Sequence, residues 1–275
     1  MADLPVSVSG KSAADVARAA AQAAGRISAE RFRALDAGNP IERVVKGRGN
    51  YVTEADLACE QAAIRILREE FPDHRVLSEE TSNGVKDWGR GGLWVIDPID
   101  GTANFARGIP TFAFNISLCL DGDPALGLTY QPITGDEFFA ASGQGLFVNG
   151  VRAQVSSVAT LPDALMGIGL GYDYDRAKLA LHLLADLWPG VQMVQNIGSA
   201  ALGLAYAASG RFDLYVHQFL FPWDMAAGIV QVREGGGVII DREGDPVSIY
   251  SEGLIAGAPG PVEEFLRFSK GRDWR

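Results

Sequence analysis

Residues 94–105 read Trp94-Val95-Ile96-Asp97-Pro98-Ile99-Asp100-Gly101-Thr102-Ala103-Asn104-Phe105. An apolar, strand-like run ends in Asp97, and Asp100 follows three residues later. Gly101-Thr102 then opens what reads as the first turn of a helix. Carboxylates at a strand end attract hard cations, which prefer oxygen ligands. Free N–H groups at a helix start attract a phosphate. Gly101 lets a ligand approach the backbone, and Thr102 adds a hydroxyl at the same point. Side by side, these features suit metal-assisted transfer of a phosphoryl group to water. The competing reading is structural, with one Asp capping the helix and the other making a turn. For an isolated Asp-Pro-x-Asp the structural reading is the stronger.

The rest of the chain bears on that choice. Its 275 residues allow one large domain or two moderate ones, and a hydrophobic fraction of 47% with 21% charged residues supplies a real core. A net charge of −10 argues against a nucleic-acid partner bound through a phosphate-neutralising surface. Bound cations would reverse the local potential and let an anionic ester approach. Cys59 and Cys119 each sit in an apolar pattern and read as buried small residues, not as a disulfide or zinc pair. No apolar run reaches the roughly 20 residues of a membrane span. Residues 1–10 lack the basic start and apolar stretch of a signal peptide. A cytoplasmic location is expected.

Residues 12–35 read as a helix, opened by Ser12 with Asp15 three residues on and carrying Val16, Ala20, Ala23 and Ile27 on one apolar face. Residues 36–50, rich in Gly, Asn, Arg and Lys, read as a mobile loop. Thr53-Glu54-Ala55-Asp56 opens a second helix whose apolar face is Leu57, Ile64, Leu67 and Phe71. From Phe112 to Leu120 apolar and small or polar residues alternate, as in a half-buried strand. Further strands are expected at 125–130, 137–140 and 146–148, with a hairpin turn at Asn149-Gly150. Beyond about residue 160, strands at 164–169, 191–195, 213–217 and 237–240 alternate with helices at 174–187, 200–208 and near Asp224. This predicts an N-terminal α+β domain over 1–154 and a C-terminal α/β domain over 155–275.

Several other acids have good structural readings when taken singly. Asp56 completes a helix cap with Thr53. Glu79-Glu80 reads as a solvated pair after a short strand. Asp224 is a favourable residue near a helix start. Together they change the balance. Asp97 to Phe105, Trp223-Asp224-Met225-Ala226-Ala227-Gly228 with Glu234-Gly235-Gly236-Gly237, Val52 to Asp56 and Leu77-Ser78-Glu79-Glu80-Thr81 occur in the order found in one family. On these motifs, spread over residues 45–257, the chain resembles the inositol monophosphatase family of magnesium-dependent, lithium-sensitive phosphatases.

The resemblance implies an α+β fold, a layered α-β-α-β-α sandwich of the inositol monophosphatase and sugar phosphatase type, usually a homodimer. It implies two or three Mg²⁺ ions. Glu79, Asp97 and the Ile99 carbonyl would hold the first, and Asp97, Asp100 and Asp224 the second. A weaker third would sit on Glu79. Asp56 and Thr102, with Glu79, would serve the attacking water. The substrate side would comprise Asp100, Gly101, Thr102, Ala103, Ser199, His217 and Asp224, and Lys46 would lie on a mobile loop near the site. The implied activity is hydrolysis of a small phosphomonoester resembling inositol monophosphate.

The chain departs from the family pattern at His217, where inositol phosphatases carry a Glu that contacts substrate hydroxyls. His217 reads either as a strand-end structural residue or as a changed hydroxyl or base contact. Ser78 stands where Gly is common. Gly167-Ile168-Gly169-Leu170-Gly171 resembles a dinucleotide loop, but the third glycine of that fingerprint would fall at Tyr172, so the pattern fails. Histidinol phosphate, fructose 1,6-bisphosphate and nucleotide 3′-phosphates are alternative substrates on the same fold. A regulatory protein that keeps the fold is a second class of reading. A glycosidase built on paired carboxylates ranks last, because it leaves the Gly-Thr helix start unexplained.

Overall fold

The computed structural model of the chain describes residues 4–36, 43–47, 50–81, 90–272 and 274. In chain order the elements are α1 (Ala13–Asp36), β1 (Arg43–Gly47), β2 (Asn50–Thr53), α2 (Glu54–Glu70), β3 (Arg75–Ser78), β4 (Gly92–Asp100), α3 (Thr102–Phe105), β5 (Ala113–Leu120), β6 (Asp123–Gln131), β7 (Asp136–Ala141), β8 (Gly145–Val148) and β9 (Val151–Ala153). They continue with β10 (Leu165–Gly169), α4 (Tyr174–Leu187), β11 (Met193–Gln195), α5 (Ala200–Ala208), β12 (Leu214–His217), α6 (Pro222–Glu234), β13 (Val238–Ile240), β14 (Leu254–Gly257) and α7 (Pro259–Ser269).

Two sheets and three helical layers make up the α-β-α-β-α sandwich. A seven-stranded sheet runs in the order β3-β4-β5-β6-β7-β8-β9, antiparallel except for the β3–β4 pair. One face packs on α1 and α2, joining Val16, Ala20, Cys59 and Leu67 to Trp94, Ile116 and Leu128. The other packs on α5 and α6, joining Val95, Cys119 and Ala140 to Leu204, Ala207, Met225 and Ile229. A five-stranded sheet, β11-β10-β12-β14-β13, covers the far side of α5 and α6. Helices α4 and α7 cover its outer face through Leu183, Leu187, Val262 and Phe265. Among the described residues no helix is long and apolar enough to cross a membrane.

Four sequence expectations change. The alternation at 112–120 predicts one solvated face, yet β5 is buried on both, because α6 covers the small and polar side and Asn115 Nδ2 donates to the Trp223 carbonyl at 2.7 Å. Within the expected loop at 36–50, β1 and β2 form an antiparallel pair; residues 37–42 and 48–49 lie outside the described residues. On α1 the buried stripe runs through Ala13, Val16, Ala17, Ala20, Ala21 and Ala24, leaving Ala23 and Ile27 at its margin. On α2, Leu57 is 44% exposed while Asp56 and Glu60 are buried. Two expectations stand. Asn149 and Gly150 both take positive φ in the turn between β8 and β9, and Cys59 and Cys119 are buried and free.

Candidate metal and phosphate site

The two acids of the opening motif share one side because β4 is bulged. Residues three apart on a regular strand face opposite ways. Asp97 pairs with Asn115 and Asp100 with Ala113, so three steps along β4 meet two along β5. The extra residue restores a common direction, and Pro98, which has no N–H to give, falls inside the bulge. Gly101 then turns the chain into α3 at φ 95°, a conformation that disfavours any side chain. A Cβ there would also lie 3.1 Å from the Thr111 carbonyl oxygen and 3.2 Å from that of Gly198. Asn104 fastens this turn to the segment before α5, donating to the carbonyls of Thr111 at 2.7 Å and Ile197 at 2.8 Å.

Helix starts bring in the remaining acids. Asp224 is the third residue of α6, opened by Pro222, and Oδ2 accepts the Phe221 N–H at 2.7 Å. Asp56 is the third residue of α2. Its Oδ2 accepts the Thr53 N–H at 2.8 Å and the Thr53 hydroxyl. Asp100 lies beyond the start of α5 and accepts the Ala200 N–H at 3.1 Å, the Ala201 N–H at 3.0 Å and the Ser199 hydroxyl. Three helix N-termini thus converge on one cleft, each supplying N–H groups and the positive end of a dipole to a carboxylate. For Asp56 and Asp224 the capping role and the place in the cleft coexist, since each caps its helix through Oδ2 alone.

Oxygens of Asp97, Asp100 and Asp224 all lie within 4.8 Å of one another. Glu79 joins the same cleft from the end of β3, where its N–H donates to the Ile96 carbonyl at 3.2 Å. Burial pushes the Asp97 carboxyl well above the usual carboxylate range, and Glu79, Asp100 and Asp224 add to the rise. Burial also raises Asp224, with Asp100 adding to it and the Phe221 N–H opposing. Asp100 is raised by burial against the pull of Ser199 and the α5 N–H groups. Glu79 is pushed up to about 7, chiefly by burial, with Lys46 opposing and Glu80 and Asp56 reinforcing. Crowded, buried, oxygen-only donors short of positive charge fit a hard divalent cation.

The other expected residues are placed as follows. The Thr102 hydroxyl oxygen lies 3.2 Å from Asp56 Oδ1 and 3.0 Å from the Ile99 carbonyl oxygen, so all three meet at one point. Gly101, Thr102 and Ala103 line the cleft beside the acids. Lys46, on β1, lies 3.3 Å from Glu79 Oε1 and 2.6 Å from Glu80 Oε1. Ser199 caps α5, accepting the Leu202 N–H at 3.3 Å while donating to Asp100. His217 is buried in the cleft wall; burial lowers it to about 3, and Nδ1 accepts the Phe219 N–H at 3.3 Å. The ring is therefore neutral, with its proton on Nε2.

The glycines of 167–171 serve this wall. A Cβ on Gly169 would lie 2.0 Å from the His217 ring and one on Gly167 2.5 Å from Phe212, so these glycines make room for aromatic rings. Sequence reasoning missed Glu60, a buried carboxylate that accepts the Ser78 hydroxyl and the Glu80 N–H at 3.1 Å and so holds the segment bearing Glu79. Its spacing, one turn beyond Asp56 on the same helix, was the available signal.

Comparison with known proteins points to one family. Residues 11–268 match the model of the inositol monophosphatase family. The chain is 34% identical to the Nus factor SuhB of Pasteurella multocida over 253 residues, covering 92% of this chain and 93% of that one. It is 35% identical to inositol monophosphatase 1 of Solanum lycopersicum, covering 81% and 84%. The crystal structure of the extragenic suppressor protein suhB of Bartonella henselae superposes with a TM-score of 0.86 at 33% identity, covering 94% of this chain and 98% of that one. With sequence motifs, layered sandwich and acidic cleft in agreement, the chain belongs to the inositol monophosphatase family.

Proposed function

We propose that the cleft hydrolyses a small phosphomonoester with the help of Mg²⁺. The observation that carries this reading is the cluster of Asp97, Asp100 and Asp224 within 4.8 Å, set against the Gly101-Thr102 turn. Glu79, Asp97 and the Ile99 carbonyl would hold one ion, Asp97, Asp100 and Asp224 a second, and Glu79 a weaker third. When bound, such cations neutralise the ester's charge and make water more acidic. The N–H groups at the α3 start have no acceptor within the helix and serve the phosphate. Asp56, anchored on Thr53 through Oδ2, turns Oδ1 to the Thr102 hydroxyl. Aligned by that bond, the hydroxyl would orient a water for attack, and Glu79, which lines the same cleft, would serve that water with them. A homodimer, lithium sensitivity and a cytoplasmic location belong to the same reading.

Phosphate release from a panel of inositol, glycerol, nucleotide and histidinol phosphates tests it. Hydrolysis with Mg²⁺, loss in EDTA and weakening by lithium are expected, and release unchanged by EDTA would contradict it. Similarity to proteins named Nus factors favours a second reading, a regulatory role exercised through protein contact. Its test is a deletion phenotype: rescue by a hydrolytically dead Asp97→Asn variant supports regulation, and failure to rescue supports catalysis.

A further inference from the structure

The wall of the cleft made by β10 and β12 sets two glycines beside two ring-bearing residues. In the parallel register Gly167 pairs with Tyr215 and Gly169 with His217. Residues two apart on a strand share a face, so Tyr215 and His217 lie on one side of the sheet, where Tyr215 packs on α5. A Cβ on Gly203 of α5 would lie 2.2 Å from the Tyr215 ring, one on Gly167 2.9 Å from it, and one on Gly169 2.8 Å from its hydroxyl. Three glycines on two elements therefore make room for one phenol.

Tyr215 is only 1% exposed, yet it lines the cleft with Gly169 and His217. Among the described residues its hydroxyl has no hydrogen-bond partner, and it is not sealed in as the unpaired Trp94 Nε1 is. A side chain at position 169 would cover the hydroxyl, and glycine leaves it open. Burial holds the phenol well above the ordinary tyrosine range, with Asp100 and Asp224 adding to the rise, so the hydroxyl keeps its proton. An enclosed hydroxyl without a partner is costly to the fold. Ser199 and the α5 N–H groups already engage both oxygens of Asp100. The phenol is thus a spare donor beside acids that, when ionised, can only accept.

From these observations we infer that Tyr215 is a substrate-binding residue whose hydroxyl donates a hydrogen bond to an oxygen on the alcohol part of the ester. This rests on the phosphatase reading above and adds a residue to it. The phosphate is served by the N–H groups at the start of α3, whereas Tyr215 stands on a different wall with His217, which leaves the alcohol as its partner. A site that hydrogen-bonds a substrate oxygen rejects an analogue lacking it, because its own buried group is then left unpaired.

The test uses the full chain with Mg²⁺ and compares it with Tyr215→Phe, which keeps the ring and removes one oxygen. The substrates are glycerol 2-phosphate and isopropyl phosphate, which differ only in the hydroxyls of the alcohol. For Tyr215→Phe, kcat/KM on glycerol 2-phosphate is expected to fall about tenfold, the size of one neutral hydrogen bond. The value on isopropyl phosphate is expected to stay unchanged. The denaturant midpoint is expected to hold or rise, because the variant loses an enclosed hydroxyl that has no partner in the fold. Equal losses on both esters, no loss on glycerol 2-phosphate, or a lowered midpoint overturns the inference and leaves the phosphatase reading standing. Release from neither ester by the unaltered chain overturns both.

Discussion

Helices α1 and α2 lie side by side on the same face of the large sheet, but they bury different things. The stripe that α1 turns inward is made almost wholly of small apolar side chains, with Val16, Ala17, Ala20 and Ala24 at 0–1% exposure. The inward side of α2 interleaves Ala55, Cys59, Ala63 and Leu67 with the carboxylates Asp56, Glu60 and Glu70. Burying a carboxylate is costly unless it is hydrogen-bonded, and each of these three is. One helix therefore serves the core, and the other serves both core and cleft. Substitutions on α1 should read out in stability, and those at the acids of α2 and its neighbours in metal response and turnover.

The largest expected effect comes from the cluster to which α2 presents Asp56. Asp97→Asn keeps an oxygen for the Ile99 N–H, which lies 3.0 Å away, yet removes a charge. Activity should fall on the order of 10³-fold with the far-ultraviolet circular dichroism unchanged. Glu60→Gln is next. It keeps a hydrogen-bond acceptor for Ser78 but removes a charge behind the Glu79 segment, so the Mg²⁺ concentration giving half-maximal activity should rise about tenfold, as for other residues supporting metal ligands. A drop in turnover with no change in metal requirement would show that Glu60 acts otherwise.

Stability changes sharpen the contrast. Val16→Ala on α1 should cost about 2 kcal/mol in denaturant unfolding through lost apolar contact and a residual cavity, with the Mg²⁺ requirement unchanged. His217, lowered to about 3, is neutral in the folded chain, while the unfolded chain protonates near the ordinary histidine value. Between about pH 6.5 and 3 the unfolded state binds the extra proton, so this group's contribution to stability falls as pH falls, by about 1.4 kcal/mol per pH unit. His217→Gln should remove that slope. The smallest effect belongs to Leu57→Ser on α2, expected within about 0.5 kcal/mol because the side chain is 44% exposed.

The same contrast explains what was legible in the sequence. Helix α1 was readable because apolar spacing alone sets its buried face, with a small rotational error at Ala23 and Ile27. On α2 the apolar residues misled, since hydrogen-bonded carboxylates at Asp56 and Glu60 set the rotation and left Leu57 outside. The strand-end acids were legible as motifs, but the bulge that turns Asp97 and Asp100 the same way is a property of pairing with β5. Alternation along β5 identified a strand and missed its second cover, because α6 arrives from more than a hundred residues later in the chain. Gly167 and Gly169 could not be interpreted locally, as the rings they accommodate lie on β12 and in the segment before it.

The most direct test of the acidic cleft as a metal-dependent hydrolytic centre is phosphate release from glycerol 2-phosphate across a Mg²⁺ titration, run on the unaltered chain and on Asp97→Asn. Release that is absent in EDTA, rises with Mg²⁺ and is lost in Asp97→Asn is the predicted result. Release independent of Mg²⁺, or retained in Asp97→Asn, would contradict it.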